Sequence, residues 1–201
     1  MPAEPLASVA HVRHDAAHDD LHARPAPARC VAMTAVVLMG VSASGKTEIG
    51  RRLAAHLAVP FIDGDDLHPP ANVAKMSAGI PLDDADRASW LDTVAAALAE
   101  APHGVVVACS SLKASYRTHL RLGAQRPLRF VHLDVTEAEL RRRIEARVGH
   151  FMPASLLTDQ LATLEWPGAE PDVGVVAADC LPDAVTDAAL SVLSEPIRPR
   201  E

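Results

Sequence analysis

The chain is poor in aromatic residues, poor in cysteine and short of positive charge. Phe, Trp and Tyr make up 3% of its 201 residues, so its core must be aliphatic. The three cysteines, Cys30, Cys109 and Cys180, are odd in number and far apart. They offer neither a disulfide framework nor the spacing of a zinc site, which fits a reducing, cytoplasmic setting. Asp and Glu outnumber Lys and Arg by 26 to 19, for a net charge of −7. That argues against nucleic acid as the main partner, because phosphate backbones need clustered cations. No apolar run approaches the ~20 residues that span a bilayer, so no membrane is expected. What is present is ordinary for a globular chain: 49% hydrophobic and 22% charged residues, in a length that fits one domain with a real core.

The two ends differ in composition from the middle. Residues 1–32 are rich in Pro, Ala and His, with His11, His14, His18 and His22 lacking any clean periodicity. Those histidines could bind a metal, but the composition reads first as a flexible leader. It has no apolar h-region, and Glu4, Asp15, Asp19 and Asp20 weigh against a transit peptide. Met33 opens the first regular run and is a candidate start for the functional domain, expected over 33–194. The segment 195–201 reads as a disordered tail.

In that middle stretch, Gly40-Val41-Ser42-Ala43-Ser44-Gly45-Lys46-Thr47 fits G-x-x-x-x-G-K-[ST]. An apolar run, Ala35–Met39, leads in as a strand, and a helical pattern, Lys46–Leu57, leads out. Such a loop turns backbone N–H groups toward phosphate oxygens, and the helix N-terminus adds positive potential. Lys46 would reach the β- and γ-phosphates and Thr47 would give a hydroxyl to Mg²⁺. The implied ligand is a nucleoside triphosphate. No Asn-Lys-x-Asp guanine motif is present, which disfavours a GTPase switch.

Strand candidates alternate with helix candidates along the chain. The strands are Ala35–Met39, Pro60–Asp63, Gly104–Cys109, Arg129–Asp134 and Val173–Ala177. The helices are Lys46–Leu57, Pro70–Ser77, Asp83–Ala101, Ala114–Gly123, Thr136–Arg147, Ala154–Glu165 and Pro182–Leu193. Val105-Val106-Val107-Ala108 is apolar on both faces, as in a parallel sheet covered by helices. The expected fold is therefore α/β, a doubly wound parallel sheet of the P-loop type. Ligands should gather at the carboxyl ends of its strands. Thr136 with Glu139 reads as a capping box, and Gly79 suits the position just past a helix.

Several polar groups fall at those carboxyl ends. Asp63, Asp65 and Asp66 close the second strand, where carboxylates are costly unless they meet a cation or a hydroxyl. If the strand persisted, alternation would point Asp63 and Asp65 the same way, Asp63 to hydrated Mg²⁺ and Asp65 to a substrate hydroxyl. A solvated acidic turn with a cap at Asp65 or Asp66 is the bland alternative. The third strand exits through Ser110, Ser111 and Lys113, which suit a polyhydroxy anion or, for the serines, helix capping. Arg143 and Arg147 lie at i, i+4 and share a helix face. Gly149-His150-Phe151-Met152-Pro153 then breaks the pattern, as a helical lid closing over a triphosphate would. Pairing of that basic face with Glu139 or Glu145 is the alternative.

At this point the chain resembles the gluconokinases, small P-loop kinases related to shikimate kinase. The resemblance spans Thr34 to Leu193. It rests on Gly40–Thr47, Asp63-Gly64-Asp65-Asp66-Leu67-His68-Pro69, Asn72…Lys75-Met76 and Gly79-Ile80-Pro81-Leu82…Asp84…Asp86-Arg87…Trp90-Leu91. It continues through Cys109-Ser110…Leu112-Lys113…Tyr116-Arg117, Arg147…Gly149-His150-Phe151-Met152 and Gln160…Thr163-Leu164-Glu165…Pro167. The resemblance implies ATP-dependent phosphorylation of D-gluconate at its 6-hydroxyl. It implies Asp65 at the acceptor hydroxyl, with Lys46 and Arg147 stabilising the transferring group and Asp63 assisting Thr47 at Mg²⁺. His68, Lys75, Arg87, Ser110, Lys113 and His150 would border the substrate, Arg87 as a clamp for the carboxylate. Arg143 and the loop before Pro182 would lie near the adenine. Members are often dimers, so a homodimer is one expected assembly. The pattern departs at Ala43, where glycine is usual, and at Ser89, Ser111 and Asp159, none of which removes a chemical group. A kinase of shikimate or another sugar acid, a nucleoside monophosphate kinase and a non-catalytic nucleotide-binding regulator are the alternatives.

Overall fold

The structure, a computed structural model, describes residues 35–146 and 154–197. Its centre is β1 (Ala35–Met39), five aliphatic residues with no exposed surface. Around it are β2 (Phe61–Asp63), β3 (Val105–Ala108), β4 (Leu128–Asp134) and β5 (Val173–Ala177). The five form one sheet in the order β2-β3-β1-β4-β5, and every pairing is parallel.

A strand that is apolar on both faces must be covered on both. Val36 and Leu38 join Ile49 and Leu53 of α1 (Lys46–Leu57) and Val185 and Ala189 of α7 (Pro182–Ser194). Leu140 of α5 (Glu137–Glu145) and Leu157 of α6 (Ala154–Thr163) extend that layer. Ala35, Val37 and Met39 join Trp90, Val94 and Leu98 of α3 (Asp84–Ala99) and Tyr116 and Leu120 of α4 (Ala114–Ala124) on the other face. Each large aliphatic side chain so buried contributes about 1.5–3 kcal/mol. The doubly wound reading is what the structure shows. The sequence-derived strands and helices recur with ends moved by a residue or two.

Local signals fared unevenly. α2 (Pro70–Ser77) ends as expected at Gly79, whose φ is 72°. Gly79 N donates to Met76 O and Ile80 N to Lys75 O, the paired bonds of a Schellman turn. The expected capping box at Thr136 is only half made. Thr136 Oγ1 accepts from Glu139 N, but the Glu139 carboxylate turns away to Arg142 and Arg143, which hold it down at about 2. The reciprocal box stands instead at α3, between Asp83 and Asp86.

Two buried polar residues lie where β4 and α4 approach the cleft. Arg117, 1% exposed, donates to Ser111 O and Leu112 O and pairs with Glu170. His132, 2% exposed, lies edge-on to Trp166, with ring centroids 5.4 Å apart. Its Nδ1 has no partner among the described residues. Burial pushes His132 down from 6.5 to about 4. A ring kept neutral in the fold but free to protonate when unfolded stabilises fully above pH 6.5 and progressively less as pH falls toward 4. Unfolding free energy should therefore drop by about 2 kcal/mol between pH 7 and 5 from this group alone. Urea titrations at the two pH values measure it. His132→Gln should flatten the slope, and an unchanged slope would assign the effect to other groups.

Candidate active site

The loop after β1 occupies the crevice where the chain leaves the centre of the sheet toward both neighbours, the usual ligand position in such folds. Gly40 has φ 143°. A Cβ there would fall 2.9 Å from Ser44 Oγ and 3.0 Å from Leu133 O, so glycine is required by space as well as by dihedral. Gly40 N donates to Ser110 O, stitching the loop to the exit of β3. Val41, Ala43 and Ser44 are buried, while Ser42, Gly45, Lys46 and Thr47 are half-exposed. Lys46 Nζ donates to Gly40 O and Val41 O, each at 3.0 Å, which folds its charge over the loop. Ser44 Oγ is buried without a partner among the described residues. An orphaned hydroxyl in a glycine-bounded loop at a helix N-terminus fits an anion with oxygens to share.

Beside the loop, Thr47 Oγ1 donates to Asp63 Oδ2 at 2.7 Å. This is a two-oxygen donor pair suited to a divalent cation that keeps most of its water and leans on phosphate oxygens. Among the described residues no group of three or more His, Cys, Asp or Glu side chains could form an all-protein cage.

Here the expectation for the aspartates needs correction. The strand ends at Asp63, and a 3₁₀ turn over Gly64–Leu67 takes over. Asp63 itself caps the turn, its Oδ1 accepting from Asp65 N at 3.2 Å. Asp65 is exposed on that turn rather than continuing the strand's alternation. Trp90 Nε1 fixes the turn by donating to Gly64 O at 2.7 Å.

The far wall of the cleft is built by α2, α3 and the start of α4. His68 stacks on Trp90 with ring centroids 4.3 Å apart, and burial lowers its pKa, opposed by the charge of Asp65. Asn72 Nδ2 donates to Asp86 O and approaches His68 Nδ1 at 3.4 Å, which leaves the ring proton on Nε2. Lys75 is paired with Asp86 at 2.6 Å. Lys113 Nζ donates to both Asp84 oxygens, at 2.7 and 2.8 Å, and Tyr116 OH donates to the same carboxylate. Those two donors depress Asp84, Lys113 first. Arg87 Nη1 reaches Tyr116 OH at 3.4 Å. Ser110 is half-buried at the loop and Ser111 buried behind it. Neither serine caps α4. The N–H of Ala114 is satisfied by Glu165 Oε2 instead, at 2.6 Å from far along the chain. Burial pushes the Cys109 thiol up to about 11, and the charges of both Asp65 and Lys46 act on it, so the two lie within Coulomb reach of the same strand end.

A cavity of about 560 Å³ opens on the other side of the loop, lined by Gly45, Ile49, Arg143, Ala178, Leu181 and Pro182 among others. Its size suits a nucleoside. Arg143 does more than border it. It pairs with Glu139 and donates to Ala178 O at 2.6 Å and to Ala43 O and Ser44 O at 3.4 and 3.3 Å. Arg147 and His150 lie outside the described residues. Sequence reasoning quoted Asp84, Tyr116 and Arg117 within the motifs of the resemblance but gave them no role at the site; Tyr116 meets Asp84 from 32 residues away and Arg117 meets Glu170 from 53.

A family model described as an AAA domain matches residues 36–167. A gluconokinase of Gluconobacter oxydans (strain 621H) is 52% identical over 155 residues, covering 76% of this chain and 86% of that protein. The crystal structure of a gluconokinase from Sinorhizobium meliloti 1021 superposes with a TM-score of 0.76 at 45% identity, covering 81% of this chain and 93% of that one. A shikimate kinase from Bacteroides thetaiotaomicron, 19% identical, shares the fold with a TM-score of 0.59 over 82% of this chain and 100% of that one.

One strained feature of the loop is testable alone. Ala43 has φ 63°, a left-handed backbone that an L side chain resists. Ala43→Gly should raise stability by about 1 kcal/mol and Tm by ~2–4 °C. Differential scanning calorimetry decides it, and a lower Tm would mean that the alanine is at ease there.

Proposed function

The chain belongs to the gluconokinase family, and from that premise we infer that it transfers the γ-phosphoryl group of ATP to D-gluconate, giving 6-phospho-D-gluconate and ADP. The observation that carries this reading is the union in one cleft of a phosphate loop, joined through Thr47 to Asp63, with an acceptor wall of matching charge. Lys113 is paired with Asp84, and Arg87 reaches the uncharged Tyr116 hydroxyl, which suits the Arg87 guanidinium to a sugar-acid carboxylate. The oxygens of Asp84 and Tyr116, already polarised by their neighbours, suit a chain of hydroxyls.

Phosphoryl transfer asks for positioning and neutralisation more than for covalent help from the protein. The loop amides and Lys46 hold the β- and γ-phosphates. Asp65, exposed at the turn, orients the 6-hydroxyl and accepts its proton as the new O–P bond forms and the bond to the β-phosphate oxygen breaks. Asp63 and Thr47 are the residues that would hold Mg²⁺, which when bound draws negative charge from the phosphates. Arg143 braces the loop from the nucleoside side. His68, seated on Trp90, and Lys75, anchored by Asp86, shape the acceptor wall. A cytoplasmic setting is supported by the free thiols of Cys109 and Cys180. No helix of the described residues is long and apolar enough to cross a membrane.

ADP release coupled to gluconate, with the product passed to 6-phosphogluconate dehydrogenase, tests both the substrate and the hydroxyl modified. Lys46→Ala and Asp65→Asn should each lower kcat by roughly 10²–10⁴-fold with the fold intact. Near-normal kcat in Asp65→Asn would remove the base while leaving a positioning role. Arg87→Ala should raise KM for gluconate by about tenfold and KM for ATP by less than about twofold. Equal effects on both would take Arg87 out of the acceptor site.

A further inference from the structure

Helix α6 touches both halves of the cleft. On the nucleotide side, Gln160 Oε1 accepts from Ser42 N at 2.7 Å. Ser42 is the third residue of the phosphate loop, directly before the strained Ala43. On the acceptor side, the chain just after α6 is fastened to the exit of β3. Glu165 N donates to Leu112 O at 2.9 Å, Glu165 Oε2 accepts from Ala114 N at 2.6 Å, and Arg117 donates to Glu165 O at 3.2 Å. Leu164 N donates to Gln160 O at 3.0 Å, so a single closed turn joins the two attachments.

The choice of side chain at that contact is informative. Amides of a phosphate loop turn toward anions. Here a neutral carboxamide oxygen takes one of them, which satisfies the donor without setting a negative charge beside the phosphates. A half-buried residue that ties Ser42 to the Ser110–Lys113 edge therefore fixes the distance between the two groups that must meet. We propose that Gln160 is a positioning residue that couples the nucleotide and acceptor halves of the cleft. A ligand that holds one end of this tie in its binding position holds the other end through the α6 turn, so the affinity of the second ligand rises. This rests on the kinase reading above.

Calorimetric titration of ADP with Mg²⁺, with and without saturating D-gluconate, measures the coupling directly. In the wild-type protein gluconate should tighten ADP binding by about fivefold, the equivalent of one net hydrogen bond. Gln160→Met, close in shape but lacking the oxygen, should bring that factor near one. It should weaken ADP alone by only about threefold and move Tm by less than about 3 °C. Gln160→Glu keeps an acceptor oxygen, so it should restore the factor while its charge weakens ADP equally in both titrations. A residue that merely stabilised α6 would change Tm and leave the factor untouched. A wild-type factor of one, or a Gln160→Met factor equal to wild type, overturns the proposal. If Gln160→Met proves unstable, Gln160→Glu decides: loss of the factor there overturns it too. Absence of any gluconate binding to the wild-type protein would instead remove the acceptor assignment. The coupling would then fall with that assignment, whereas gluconate binding with a factor of one overturns the coupling alone.

Discussion

Everything at the cleft depends on β1 being buried on both faces. A strand with no exposed residue must sit inside the sheet and inside the helical layers at once. With β3 on one side and β4 on the other, the chain leaving β1 emerges between diverging connections. The phosphate loop is thus placed by the packing of valines and a leucine far more than by any contact of its own. The polar work is done at the ends of strands whose interiors are inert.

The cleft carries two left-handed residues that are not glycine near its centre, Ala43 and Ser111. An arginine donates to the carbonyl of each: Arg143 to Ala43 O and Arg117 to Ser111 O. Both guanidinium groups reach further carbonyls and a carboxylate, so each holds several turns with one planar fork. Strain at a functional loop persists only where surrounding structure over-determines it. Here the means is the same on both walls, although the two arginines come from opposite layers of the sheet.

The frame was legible because it is written in local period. Runs such as Ala35–Met39 and Val105–Ala108 are apolar on both faces, and the glycines and Lys46 of the loop have a fixed spacing. What the sequence hid was contact at long separation. Nothing near Ala114 reveals that Glu165 caps it, and nothing near Ser42 points to Gln160. The aspartates misled for a different reason. Alternation holds only while the strand lasts, and at Asp63 the side chain itself ends the strand by accepting from Asp65 N. Thr136 misled because Asp179, from 43 residues away, takes the Thr136 N–H, while Glu139 has two arginines within one turn.

The scarcity of aromatic residues has an optical consequence. The chain holds two tryptophans, and each faces an imidazole. Trp90 is inside, stacked on His68 beneath the acceptor wall. Trp166 is 59% exposed, edge-on to His132 just past the α6 turn. A buried indole emits toward the blue and a wet one toward the red, and a neighbouring imidazolium quenches where an imidazole does not. The intrinsic fluorescence of this protein is therefore a two-channel signal, one colour from beneath the acceptor wall and one from the exposed chain that follows α6.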